Sequence, residues 1–350
     1  MKNKVFTTDS GQIYVTCLLL IIIILFICNL IFGSVSIPIR SVCNILLGNE
    51  TEKSSWSFII LQSRLPQAFT ALLCGAALSV SGLLLQTAFN NPLAGPSILG
   101  INTGASLGVA LVMLVFGSSI GKAGLFSLSG SLAIITGAFV GSGLILGTIL
   151  FFSTLVKSNL MLLIIGIMVG YITSSAISLI NFFATAEGVF SYTLWGMGDF
   201  SGVSREQLPF FSLMIIIGLF ISILLVKPLN ALLLGERYAA NLGISIGRIR
   251  WILLFATGLL TATATAFCGP ISFIGLAVPH ISRLLLGSSN HTILLPVTLL
   301  MGAVVALLCN LICILPGENG LLPLNAITPI LGAPVIIYVI INQKKIQYFH

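Results

Sequence analysis

Charged side chains are the scarcest class in this sequence: 15 Lys and Arg and 8 Asp and Glu among 350 residues, or 7%. So few charges cannot cover the surface of a particle that folds in water. With 57% hydrophobic residues and a mean hydropathy of +1.15, the composition excludes a soluble fold and assigns the chain to the bilayer. The basic excess, +7 overall, then reads as a signal of membrane orientation, and no nucleic-acid partner is expected.

No CxxC pair occurs, and the seven cysteines are an odd number. Cys17, Cys28, Cys74, Cys268, Cys309 and Cys313 fall in or beside long apolar runs, which argues against a disulfide framework or a zinc site. Cys309 and Cys313 share a helix face at i, i+4, but small buried hydrophobes are far commoner at that spacing than soft-metal ligands. No metal is expected.

The apolar spans are read as free of charged residues, which removes the intramembrane carboxylates and histidine chains that proton or sodium coupling uses. His280, beside Pro279, is read as the sole histidine near the membrane and as a structural group, not a relay or haem ligand. A nucleotide site is missing as well. Gly117-Ser118-Ser119-Ile120-Gly121-Lys122-Ala123 is one residue short of a phosphate loop and has Ala123 where a Ser or Thr would hold magnesium. No metalloprotease motif and no base beside a serine is found, so no catalytic residues are assigned.

What the chain does have is a series of uncharged runs, the longest being 10–39, 65–121, 123–156, 158–186, 207–226, 251–282, 284–317 and 319–343. A charge at the bilayer centre costs about 2.5–3.5 kcal/mol on insertion scales, and a span needs roughly 20 residues, so these runs mark where helices sit. Asn90-Asn91-Pro92-Leu93-Ala94-Gly95-Pro96 divides the second run into helices near 65–86 and 97–116, because proline lacks an amide donor and restrains its predecessor. Cys268-Gly269-Pro270 divides the sixth into about 250–267 and 271–286. The expectation is an all-α polytopic protein with ten membrane helices in one transmembrane domain, 1–350. The stretch 13–32 resembles a secretory signal but runs too long for one, and is read as a retained first helix.

Placing the amino terminus inside puts Lys2, Lys4, Lys157, Lys227, Arg237, Arg248, Arg250, Arg283, Lys344 and Lys345 on the cytoplasmic side. Arg40, Lys53, Arg64, Lys122 and Arg205 stay outside, so ten basic residues against five satisfy the positive-inside rule, with both termini cytoplasmic. The outer side also takes Glu50, Glu52, Glu187, Asp199, Glu206 and Glu318. Two connections exceed a turn. The outer one, 34–64, carries Ile39, Val42, Ile45 and Leu46 in the pattern of a short helix on the membrane surface. The inner one, 227–249, has glycines 235 and 243 delimiting a short helix of alanines and charges. GxxxG pairs at Gly104/Gly108, Gly137/Gly141, Gly143/Gly147 and Gly166/Gly170 read as internal packing more readily than as a dimer face.

Specific strings carry a resemblance. Gly75 to Gly82 with Gln86, then Asn91-Pro92-Leu93-Ala94-Gly95-Pro96 and Leu99-Gly100, together with Gly269-Pro270-Ile271-Ser272-Phe273-Ile274-Gly275-Leu276, Val278-Pro279-His280 and Arg283, resemble the FecCD permeases of bacterial ABC importers for iron chelates and cobalamin. Leu331-Gly332-Ala333-Pro334 and the pattern from Leu234 to Gly243 agree with it. The resemblance implies ten helices per subunit and two permease subunits, as homo- or heterodimer, around a central pathway in the cytoplasmic membrane. Two cytoplasmic ATPase subunits carrying ATP and magnesium would dock on Gly235, Glu236, Arg237, Ala239, Ala240, Leu242 and Gly243, and a soluble binding protein on the opposite face.

The sequence also departs from the family pattern. The family's Arg-Leu-Pro-Arg is here Arg64-Leu65-Pro66-Gln67, an arginine is missing near Ile314, and a common Asp is Asn310. Arg64 is left as the candidate for binding-protein docking, with a headgroup anchor as the rival reading. The cargo expected is an iron chelate, siderophore or haem, with cobalamin as the alternative; a stand-alone secondary transporter and a membrane scaffold are the other classes considered.

Overall fold

The structure, a computed structural model, describes residues 8–49, 53–97, 99–115, 128–156, 158–315 and 320–341. Among these the regular elements are all helical. Lys2, Lys4, Lys157, Lys344, Lys345, Lys122, Glu50, Glu52, Glu318 and the 117–123 string lie outside the described residues.

The first helix, α1 (Thr8–Ile31), is apolar on every side and only 17% of its central window is buried, as suits a helix facing lipid. Next comes α2 (Ile39–Leu46), the short amphipathic helix expected in the outer connection, with Val42 and Ile45 turned inward and Ile39 and Leu46 exposed. α3 (Ser54–Ala88) is the central column of the fold, with 83% of its window buried. It starts eleven residues before the expected 65. The uncharged run begins only after Arg64, but a π-helical turn at Ile59–Arg64 carries the chain into Pro66 without a break.

α4 (Ile101–Val115) follows a turn and ends in a second π-helical segment. α5 (Leu128–Leu155) and α6 (Asn159–Phe183) are long and mostly exposed, and α7 (Ala186–Gly196) is a short helix that charge parsing missed because Glu187 opens it. α8 (Leu208–Leu224) bends by 50° into α9 (Val226–Leu233). α10 (Glu236–Asn241) is the short helix anticipated between Gly235 and Gly243. α11 (Ile246–Cys268), α12 (Ile274–Leu286), α13 (His291–Ile314) and α14 (Leu324–Ile341) complete the described chain.

Seven of these helices are long and apolar enough to span a membrane, or eight if α8 and α9 form one bent span. α4 and α12 fall where two further spans were expected, but both are shorter apolar helices, so length and composition do not establish the count of ten. Two corrections concern charge and histidine. Arg283 is only 4% exposed inside α12, so the interior is not free of charge, and His280 is not the only histidine near the membrane, since His291 is fully buried at the start of α13.

Small residues bring the helices together, as bilayer association requires when lipid offers no hydrophobic drive. α3 packs against α13, α11, α12 and α8, and α4 against α5. Gly104 and Gly108 of α4 lie on Gly141 and Gly137 of α5, backbone against backbone. Gly170 packs against Gly100 and Thr103. Gly143 and Gly147, by contrast, sit on an open face with nothing within 4 Å of a Cβ.

Candidate functional site

The motif residues converge on the broken segment before α12. Gly269 has φ +74°, and a Cβ there would lie 2.4 Å from the Trp195 carbonyl oxygen. Phe273 also takes a positive φ, +66°, an unfavourable conformation for a bulky residue and a common mark of a functional constraint. It is held from both sides. Asn325 donates to the carbonyls of Pro270 (2.6 Å) and Gly196 (3.0 Å) and accepts from the Ser272 amide at 3.1 Å, while Gly332 leaves only enough room for the Phe273 side chain. Asn325 was not singled out in the sequence. Its position at the start of a helix, two residues after Pro323, was the available signal.

Below this break α12 is clamped to α3. Gln86 donates to the Leu276 carbonyl at 3.2 Å and accepts from the Arg283 guanidinium. His280 Nε2 lies 2.7 Å from the Pro92 carbonyl oxygen, and Asn91 caps its own turn by accepting from the Leu93 amide, so the 89–100 turn is tied to the same helix. A buried cation needs such partners, because an isolated one in a low-dielectric interior is prohibitively unfavourable. The network continues to the end of the bundle. Thr87 Oγ1 lies 2.8 Å from His291 Nε2, and the His291 amide donates to Asn230 Oδ1 of α9 at 2.8 Å. Polar contacts thus run from α9, just ahead of α10, to Thr87 of α3, the neighbour of Gln86 in the chain. The sequence read Gln86, Asn91, Pro92, Pro279, His280 and Arg283 as separate motif positions, and missed Thr87, Asn230 and His291.

At the α10 end, Glu236 is paired with Arg250 of α11 at 3.0 Å and accepts from Asn159 at 2.8 Å. With Glu236 half-exposed, such a pair contributes only about 0–1 kcal/mol and serves mainly to hold the loop in register. Gly235 and Gly243 have φ +99° and +84°, which only glycine adopts without strain. Ala239 is fully buried against the rest of the chain, so it is a packing residue of the loop and not part of an outward contact. The outward residues are ones the sequence reading did not separate: Tyr238 on α10 and Leu234 and Leu242 just outside its two ends are 53%, 64% and 59% exposed.

The other end of the bundle corrects the reading of Arg64. Its side chain, 6% exposed, turns inward and donates to the carbonyls of Leu30 (2.9 Å), Ile31 (2.8 Å) and Val35. It satisfies the orphan carbonyls at the end of α1 and presents no charge to a partner. Two of the three departures from the family pattern, Gln67 and Asn310, face each other. Gln67 Nε2 donates to Asn310 Oδ1 at 3.0 Å, and Asn310 donates to Asn29 at 2.7 Å. Both amides, with Asp199 and Ile314, line a cavity of about 190 Å³.

Residues 20–342 match the FecCD transport family. The Vitamin B12 import system permease protein BtuC of Salmonella typhi is 37% identical over 288 residues, which cover 82% of this chain and 84% of that protein. The Molybdate import system permease protein MolB of Haemophilus influenzae is 35% identical over 289 residues, 82% of each chain. A structure described as an inward-facing conformation of a metal-chelate type ABC transporter superposes with a TM-score of 0.80 at 31% identity, covering 94% of this chain and 98% of that one.

Proposed function

The chain belongs to the FecCD transport family, and from that premise we propose that it moves an iron chelate, a siderophore complex or haem, through the cytoplasmic membrane. It is a multi-pass ABC importer permease. The chelate assignment draws on the 31% identical structure described as metal-chelate type.

The observation that carries the coupling part of this reading is the α10 loop. It is anchored to α11 by Glu236–Arg250, α9 just ahead of it is tied to the interior through Asn230–His291–Thr87, and Leu234, Tyr238 and Leu242 stay exposed. Exposed apolar side chains on and beside a tethered short helix suit a docking lever. Two ATPase subunits, binding ATP and magnesium themselves, would seat on these side chains at the cytoplasmic side. A second permease subunit, identical or not, and an extracytoplasmic binding protein complete the assembly. This placement makes both termini cytoplasmic.

Cobalamin is the second reading, favoured by the 37% identity to BtuC. Uptake in cells lacking the chromosomal permease separates the cargoes. Labelled ferric siderophore or haem should accumulate only when this chain is restored. Accumulation of labelled cobalamin or molybdate instead would overturn the iron assignment.

A further inference from the structure

A cavity of about 600 Å³ opens between the end of α5, α10 and the beginning of α11, lined among others by Thr154, Glu236, Arg237, Gly247, Arg250 and Trp251. That volume lies within the about 300–1,000 Å³ range of small-molecule sites. We propose that this cavity binds the headgroup of an anionic glycerophospholipid. The inference goes beyond the transport reading and requires only that the chain sits in a bilayer.

Its chemistry is sorted into a phosphate end and a hydroxyl end. Arg237 is exposed at the cavity wall, and Arg250, held by Glu236 and by the Val156 carbonyl, sets a second guanidinium behind it. Two cations against one carboxylate leave the lining net positive. The first turn of α11 adds its amides, because Ser245 at the N-cap makes no side-chain cap and Gly247 bares the backbone. Ser153 and Thr154 also face the cavity, but their protons go to the carbonyls of Leu150 and Phe151, at 2.8 and 2.7 Å. Their oxygens are therefore acceptors, suited to a headgroup that carries hydroxyls on its phosphate.

The rest of the lipid also has a place. Trp251 stacks on Phe255 with ring centroids 5.5 Å apart and planes 1° off parallel, and both rings are exposed, as aromatic residues at the headgroup level of a membrane are. Basic pockets between membrane helices on the cytoplasmic side bind acidic headgroups by this arrangement. The ATPase surface is not in competition. At about 100° per residue, Tyr238, two residues from both Glu236 and Ala240, lies about 160° around α10 from each of these cavity-facing residues. A headgroup seated here would brace the back of the lever against α5 and α11 while its front stays open.

The test is native mass spectrometry of the full-length permease, released from mixed micelles of phosphatidylglycerol and phosphatidylethanolamine with matched acyl chains. Wild type should retain one phosphatidylglycerol in preference. Arg237→Gln should weaken that retention about fivefold, the effect of one basic residue at an anionic lipid. Gly247→Leu should do the same without changing charge, since it fills the cavity and nothing within 4 Å of its Cβ would be displaced. Arg205→Gln, in the loop before α8, should change nothing. Equal retention of both lipids by wild type, or unchanged preference in both cavity variants, would overturn the proposal. Displacement of the lipid by inorganic phosphate at equal concentration would overturn it too, marking a site for soluble anions.

Discussion

Gly82 of α3 and Gly275 of α12 touch backbone to backbone: a Cβ built on Gly82 would lie 1.6 Å from the Gly275 carbonyl oxygen. This contact lets the first turn of α12 sit against the central column, and it fixes the height at which Gln86 and Arg283 meet one turn below.

Gly82→Ala therefore forces α12 away from α3. Overpacking of this kind costs about 1–3 kcal/mol, so the thermal midpoint of the purified permease should drop by several degrees and uptake should fall. Gly147→Ala, on an open face, should leave both unchanged. Equal behaviour of the two variants would mean that the contact carries no strain.

Arg283 and Gln86 should behave as one unit. Arg283→Met leaves the Gln86 carbonyl oxygen without its partner, and Gln86→Leu leaves a buried cation short of an acceptor, each costing about 3–5 kcal/mol at the upper end. The double variant should cost less than the sum by 0.5 kcal/mol or more, read as a double-mutant cycle in chemical denaturation. Strict additivity would separate the two residues.

The amide pair at the other end gives a charge-restoration test. Asn310→Asp alone places a carboxylate beside Asn29 in a buried position and should destabilise the protein. Gln67→Arg together with Asn310→Asp should recover most of that loss by forming an ion pair across the present 3.0 Å contact. Failure of the double variant to recover would show that the site tolerates only neutral groups.

Much of this architecture was legible in the sequence because charges mark where helices cannot sit. The uncharged runs located the long helices and glycines 235 and 243 announced the short α10, whereas α7, which opens on Glu187, was missed. What remained hidden has a common cause. Arg64 and Arg283 were assigned to loops or ends, since a one-dimensional reading cannot know that three carbonyls or a glutamine will satisfy a buried guanidinium. For the same reason α3 was started too late, at the arginine. Gln67 and Asn310 were noted as separate departures from the family pattern, and only the fold shows that each answers the other. Ala239 was assigned to the docking face because an alanine on a short helix carries no mark of which side it faces.

Orientation is testable by single-cysteine labelling in a cysteine-free background. Positions 53 and 187 should react with an impermeant maleimide on intact cells, and position 237 only after permeabilisation. Labelling of 237 from outside would invert the whole topology and move the α10 lever away from any cytoplasmic ATPase.

Arg64→Ala should act on stability and not on docking, because its guanidinium caps α1 within the permease. Loss of these charge-assisted bonds is expected to cost about 1.5–3 kcal/mol each at most, seen as a lower thermal midpoint, with binding-protein affinity in nanodiscs unchanged for the folded fraction. A normal midpoint with weakened affinity would return Arg64 to the docking surface.

The most direct measurement is co-purification of the ATPase subunit with the tagged permease, comparing wild type with Tyr238→Ser and with the triple variant Leu234→Ser, Tyr238→Ser, Leu242→Ser. An aromatic residue at the centre of a docking surface is commonly worth about 2 kcal/mol or more. Tyr238→Ser should therefore weaken ATPase retention by at least tenfold, and the triple variant should abolish it while the permease still inserts with its normal thermal midpoint. Undiminished retention by the triple variant, or absence of any ATPase from the wild type, would contradict the assignment of α10 as the coupling element.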